Sequence, residues 1–319
     1  MPEVLKYPKR LIEVDLPIKE ISAHARREKS IRHGHISTLH IWWARRPLAA
    51  CRAVLCASLW PDPADPLCPQ SFPEEAGKVL CEFAEKVRTD RDLAVLCQKH
   101  WERWLHTDGN KYAILTPGPL LDMRGALLDF IADFANWDAS THPAFLTAAV
   151  RLTATSHSSL TGAIGTRPLV VDMFAGGGAI PVEALRIGAE AFASDLNPIP
   201  VLLNKVLLEY IPAFGQRLAD AVEHWSAVIK AKSEARLREL YPRDADGSNP
   251  VAYLWARTIR CEGPGCGSEV PLIRSPWLAR TAGEAVALRL LPDAAKKEVR
   301  IELVEGKDAK NPGPGTVVR

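Results

Sequence analysis

An α/β fold with a parallel crossover sheet is predicted by three features that follow one another closely. The β-branched run Leu169-Val170-Val171 ends on Asp172, the glycines Gly176, Gly177 and Gly178 come next, and a second apolar run, Ala189 to Ser194, ends on Asp195. Strand, glycine turn, helix and strand form the repeating unit of doubly wound sheets.

From the N-terminus, residues 1–60 read as an extended start and then a helix from Pro47, with apolar positions Leu48, Cys51, Val54, Leu55 and Leu59. Pro61, Pro63 and Pro66 break it. Residues 61–165 read as a helical insertion, with Val79, Phe83, Val87, Leu120, Leu127, Leu128, Ile131 and Phe134 at helical spacing. Residues 166–245 hold the crossover, whose strands are expected to be buried, as parallel strands usually are. Its helix, Ala179 to Arg186, has Pro181 in the first turn, Val182 and Leu185 as a buried stripe, and Gly188 just past its end. An amphipathic helix from Phe214 to Tyr241 follows, through Leu218, Val222, Trp225 and Ile229, and Asp244 to Asn249 is a linker. Residues 246–319 hold Cys261, Cys266, a helix around Ala282 to Leu291 and a strand from Glu298 to Val304. No internal repeat is visible.

With 319 residues, 47% hydrophobic and 24% charged, the chain can bury a sizeable core in one large or two modest domains. A net charge of +2 carries no global nucleic-acid signature. Charge is concentrated, however, between His24 and Arg46, where Arg26, Arg27, Lys29, Arg32, Arg45 and Arg46 face Glu28 alone. For its first part, His24 to His35, contact with a DNA backbone and a plain solvated face both fit. Neither a bilayer-spanning run nor a signal sequence is seen, so no membrane association is expected. Seven cysteines without framework spacing point to reduced thiols and a cytoplasmic location.

Asp172 decides which cofactor the glycine turn suits. A pyrophosphate wants unopposed N–H groups at a helix start, and a carboxylate there repels it. Pro181 also stands where the dinucleotide fingerprint has its third glycine. S-adenosylmethionine has no phosphate, and its sulfonium and ammonium are attracted by a carboxylate. Asp195, at the edge of the second strand, is placed to accept ribose hydroxyls. The plain alternative is an ordinary tight βα turn with Asp195 as a helix cap.

Asp172-Met-Phe174-Ala175-Gly176-Gly177-Gly178 resembles the Asp-Pro-Phe-x-Gly-x-Gly motif of amino-group DNA methyltransferases, and Asp195-Leu196-Asn197-Pro198 resembles their second motif. More narrowly, the run from Gly34 to Leu48, with its His40-Ile-Trp-Trp43-Ala-Arg45-Arg46-Pro47, is similar to the N-terminal signature of large bacterial adenine-specific DNA methylases that carry a zinc ribbon and occur in phage-defence and restriction-modification clusters. Leu127 to Asp138, and the pair Cys261 and Cys266, agree with that family. The resemblance implies a Rossmann-like, S-adenosylmethionine-dependent core, incomplete in this chain, with a helical insertion and a small cysteine-containing module. It implies that His40, Trp43, Arg45, Arg46 and Pro47 belong to a segment closing over the methionine end of the cofactor, an arginine pairing with its carboxylate. Without it, Pro47 simply starts a helix, Trp42 and Trp43 pack beneath it, and the arginines are solvated.

Cys261-Glu-Gly-Pro-Gly-Cys266 has the look of a zinc knuckle, yet a structural zinc takes four ligands and only two are present. The resembled family adds a second cysteine pair downstream. Free thiols in a loop are the alternative. Cys51, Cys56, Cys68, Cys81 and Cys97 read as core thiols.

Adenine amino-methyltransferases hold the target amine with an Asp-Pro-Pro-Tyr type of motif, and none follows Asp195. The expectation is therefore the cofactor-binding part of an adenine-N6 DNA methyltransferase, completed by a C-terminal segment or a partner chain and inactive alone. Its rivals are an RNA guanine-N2 methyltransferase, a non-catalytic cofactor- or nucleic-acid-binding subunit, and, distantly, an NAD-linked oxidoreductase.

Overall fold

The computed structural model describes residues 7–98, 101–106, 117–241, 243, 247–248, 250, 253–281 and 284–317. It is a mixed α/β chain with two separate sheets. Its residues divide into two compact units, 1–227 and 228–319. Most of the expected linker, Asp244 to Asn249, and the first residues of the extended start lie outside the described residues.

The first unit begins with a helix that periodicity at the N-terminus had not suggested. α1, Ile18–Ser30, starts after Pro17 and carries most of the basic run. Glu28, its one inward acid, accepts the N–H groups of Leu48 and Ala49 at 3.0 and 3.1 Å. It thereby caps α2, Leu48–Leu59, with Pro47 at the N-cap rather than inside the first turn. The buried face of α2 is also rotated from the expected stripe. Leu48 and Cys51 are buried as expected, but so are Ala49, Arg52, Ala53, Cys56 and Ala57, while Leu55 and Leu59 are half-buried and Val54 is exposed.

Four more helices complete the core: α3 (Ser71–Thr89), α4 (Arg91–Leu96), α5 (Pro117–Phe134) and α6 (Pro143–Thr161). Residues 61–165 are not packed as a separate insertion. Phe72, Phe83, Trp104, Phe130, Phe134 and Phe145 join Leu11, Ile21, Ala53, Cys56 and Trp60 in one apolar cluster. Phe134 stacks on Phe145 with ring centroids 5.5 Å apart, and the Trp60 indole N–H donates to Thr153 at 3.1 Å. The polar end of that buried indole thus keeps a partner. Of the expected core thiols, Cys51, Cys56 and Cys97 are buried and Cys68 and Cys81 are half-buried. Burial pushes Cys51, Cys68 and Cys97 up to about 12.

The crossover forms as its spacing predicts. β1, Leu169–Asp172, and β2, Glu190–Ala193, pair in parallel, with α7, Ala179–Arg186, between them. A Schellman pair ends α7, with Gly188 N–H to Leu185 O at 3.1 Å and Ala189 N–H to Ala184 O at 3.0 Å. Burial differs from expectation. Leu169, Val171 and Phe192, on one face of the sheet, are exposed, because two strands are too few to form a sheet covered on both sides. On α7 the buried side chains are Pro181, Glu183 and Ala184, while Leu185 points to solvent. Glu183 is buried because Arg52 of α2 meets it at 2.7 Å.

After β2 come α8 (Pro198–Asn204), a π-helical turn (Lys205–Tyr210), α9 (Ile211–Phe214) and α10 (Gln216–Leu237). The apolar stripe of α10 is uncovered, with Val222, Trp225 and Ile229 all exposed.

The second unit is built on a five-stranded sheet of order β3-β4-β7-β6-β5. Its strands are β3 (Thr258–Arg260), β4 (Glu269–Pro271), β5 (Trp277–Thr281), β6 (Glu284–Asp293) and β7 (Glu298–Glu305). The expected helix around Ala282 to Leu291 is instead β6, with Ala282 outside the described residues. Its alternation of Val286, Leu288 and Leu290 with smaller or charged neighbours satisfies period two once β5 and β7 lie on either side. Ala287, Val304 and Ala309 form its small core.

Candidate functional site

The acid that ends β1 and the acid that follows β2 shape the turn between them. Asp172 Oδ1 accepts the N–H of Phe174 at 3.1 Å. Asp195 Oδ2 accepts the N–H of Gly176 at 2.9 Å, and its Oδ1 accepts that of Asn197 at 2.9 Å. These donors, Asn197 first and then Gly176, hold the Asp195 carboxyl below the usual carboxylate range. The glycine turn is therefore anchored by Asp195 itself. The carboxylate lies at the surface, where its remaining acceptor capacity faces a ligand hydroxyl.

Asn197 is the N-cap of α8, its side chain accepting the N–H of Ile199 at 3.0 Å, with Pro198 directly after it. Asn197-Pro-Ile-Pro200 is thus a helix start. The capping role that the plain alternative gave to Asp195 belongs to Asn197.

Gly176 and Gly178 are demanded by their backbone and by neighbours in the protein, and Gly177 is closely approached. Gly176 has φ +50°, and a Cβ there would fall 2.8 Å from Trp42 Nε1. At Gly177 it would lie 3.3 Å from Trp42 Cβ, and at Gly178, with φ +78°, 2.9 Å from Asn204 Oδ1. Buried Asn204 donates to Gly176 O at 3.1 Å and Pro200 O at 2.8 Å, locking the turn from the other side. The close approach read from the glycines is made by Trp42 and Asn204. Neither residue was singled out as a site residue: Trp42 was visible only as the neighbour of Trp43, and Asn204 has no local signal.

One cavity of about 930 Å³ gathers most of the expected site residues. Asp172, Phe174, Ala175, Gly176, Gly177, Gly178, Asp195, Leu196 and Asn197 line it on the crossover side. His40, Trp43, Arg45 and Arg46 line it from the loop between α1 and α2, together with Trp42. Pro47 is not among its lining residues and serves as the α2 N-cap. Trp43 does not pack beneath α2, for it is 86% exposed. Ile36, Leu39, Leu203 and Leu207 add apolar wall that the motifs did not announce. Pocket size, apolar walls and a few convergent charges match the usual form of a small-molecule site.

The base of the loop is fixed from two directions. Glu28 grips the start of α2, and the His35 ring lies 3.7 Å from that of Trp137. Burial lowers the His35 pKa.

In the second unit, Cys261 and Cys266 occupy a turn directly after β3. Cys261 N–H donates to Ser268 O at 2.8 Å and Cys266 N–H to Gly263 O at 3.0 Å. The Ser268 hydroxyl, 3.3 Å from Cys266 Sγ, holds that thiol below its ordinary range. Among the described residues no group of three or more His, Cys, Asp or Glu side chains is placed to hold a metal ion. The donor set therefore falls short of a four-ligand zinc site.

Residues 15–81 match the model of a family described as a protein of unknown function, DUF1156. The matched stretch contains α1, α2 and the loop from His40 to Pro47, and ends well before the glycine turn. No curated protein and no solved structure matches the chain. Among the described residues no helix is long and apolar enough to cross a membrane.

Proposed function

We propose that this chain is the S-adenosylmethionine-binding part of a Rossmann-like methyltransferase that modifies adenine N6 in DNA. The observation that carries the reading is the shared cavity, in which the acid–glycine–acid crossover and the arginine-bearing loop meet. Nothing in the spacing of either segment alone required them to be neighbours.

The donor set fits the cofactor. Asp195 offers carboxylate oxygens to ribose hydroxyls, Asp172 an anionic edge toward a cationic sulfonium and ammonium, and Arg45 a guanidinium for a carboxylate. When bound, S-adenosylmethionine supplies an electrophilic methyl group. The protein's own part is positional. Trp42 and Asn204 hold the glycine turn from either side, so the N–H groups and carboxylates around it are preorganised. The acceptor-holding motif is not among residues 1–319, and we assign it to a further segment or partner chain. The exposed apolar face of β1 and β2, with Leu169, Val171 and Phe192, supports a further layer packed over it, as the faces of parallel sheets are normally covered by helices.

Isothermal calorimetry tests the reading. S-adenosylmethionine or S-adenosylhomocysteine should bind, Asp195→Ala should weaken binding at least tenfold, and NAD should bind more weakly. A well-folded sample that binds neither, or prefers NAD, overturns it.

A further inference from the structure

The mouth of the cavity carries large apolar groups turned to solvent. Trp43, Phe174 and Leu196 line the cavity yet are 86, 84 and 100% exposed. Large apolar side chains grouped at one opening mark a surface that something covers.

On the loop that carries Trp43 and the helix before it, the fold has turned inward the one acid between His24 and Arg46. Arg26, Lys29, Arg32 and Arg46 are exposed, with no ion pair among the described residues. Glu28 points inward to the N–H groups of Leu48 and Ala49. Arg27 is already engaged, meeting Asp138 at 2.8 Å. The Glu28 clamp also returns the start of α2, and Arg46 with it, to the end of α1. The four unpaired cations are thus gathered at the two ends of one loop, and Trp43 stands on that loop.

We propose that this surface takes an unpaired stretch of nucleic acid, with phosphates on Arg26, Lys29, Arg32 and Arg46 and one base stacked on Trp43. The proposal rests on the methyltransfer reading of the cavity, because it brings an extruded base to the opening of the cofactor pocket. Cations serve the phosphates, and an indole face suits any base, which makes the contact tolerant of sequence. An acidic protein surface would use the same cations but would have no need of the indole.

Fluorescence anisotropy on the full chain tests this with labelled single-stranded DNA, the same length of duplex, single-stranded RNA, and an abasic single strand of equal charge. The base-bearing single strands should bind most tightly, and the DNA and RNA arms show which sugar is preferred. Removing the bases, or making Trp43→Ala, should weaken binding roughly 5- to 100-fold, with Trp43→Phe recovering most of the loss. Four neutralised phosphates predict a slope of about −3 in log affinity against log salt. The double change Arg26→Glu and Arg32→Glu should weaken every oligonucleotide alike. Equal binding of abasic and normal strands, or a Trp43→Ala effect within twofold, overturns the proposal and leaves a purely ionic surface such as one for an acidic protein. Calorimetry on the same sample separates the two ideas. Cofactor binding without base-dependent strand binding sinks this proposal alone, and the converse sinks only the methyltransfer reading.

Discussion

Removing Arg52 should unfasten the crossover from the helical core. Its side chain is 1% exposed and that of its partner Glu183 is 0%. Arg52 Nε donates to Glu183 Oε2 at 2.7 Å, its Nη1 donates to Phe134 O and to Asn136 O, and its guanidinium lies 4.8 Å from the centre of the Phe134 ring. Glu183 has one other cation, Arg186, at 3.1 Å, itself tied to Ser140 O at 2.6 Å. Arg52→Met keeps volume but leaves a buried carboxylate with half its compensation, and two carbonyls without a donor. Breaking one side of a buried pair costs about 3–5 kcal/mol. For a unit of this size each kcal/mol moves the melting midpoint by about 2–4 °C, so a drop of roughly 6–20 °C is expected. Glu183→Leu should cost a similar amount. The double variant, with no buried charge left unpaired on α2 or at residue 183, should lose clearly less than the two single losses together. Urea unfolding followed by tryptophan fluorescence, with calorimetry for the midpoint, measures all three. A single-variant loss below about 1 kcal/mol, or simple additivity in the double variant, would refute the coupling.

Three other outcomes follow from the same geometry. Gly176→Ala sets a Cβ 2.8 Å from Trp42 Nε1 at a backbone φ of +50°, so cofactor affinity should fall; adding Trp42→Ala should restore only part of it, since the φ strain remains. The carboxyl of Asp195 is depressed by backbone N–H donors, and a depressed carboxylate keeps its contribution above the unfolded pKa, near 3.9, losing it as pH falls through the lower folded value. The stability lost in Asp195→Asn should therefore be the same at every pH between about 5 and 7 in urea titrations, and a loss that changes steeply across that window would contradict the depressed carboxyl. Iodoacetamide at neutral pH should label Cys266 well before Cys51 and Cys97, whose thiols burial pushes up to about 12; peptide mass spectrometry showing the reverse order would contradict the thiol environments described here.

The crossover was legible in the sequence because every signal for it is local. A β-branched run, Pro181 near the start of α7 and Gly188 past its end constrain neighbouring dihedrals directly, and the strand and helix limits follow. Asp172 and Asp195 stand out in the sequence by their places at the strand ends and their charge, and both line the cavity. Tertiary structure decided everything that depends on which surfaces meet. Strand residues expected to be buried are exposed because burial belongs to the layers above and below, which two strands cannot supply. Arg52 and Glu183 are inside because each neutralises the other across two helices 131 positions apart, a distance at which no pattern speaks. Glu28 looks like one more charge in a basic run until the start of α2 is seen to fold back on it. The segment 284–293 has apolar residues compatible with either period, and pairing with β5 and β7 selected the strand. The glycines suggested a ligand's close approach. Only the packed structure shows that Trp42 and Asn204 already make it, because a missing Cβ records that something is near and carries no record of what.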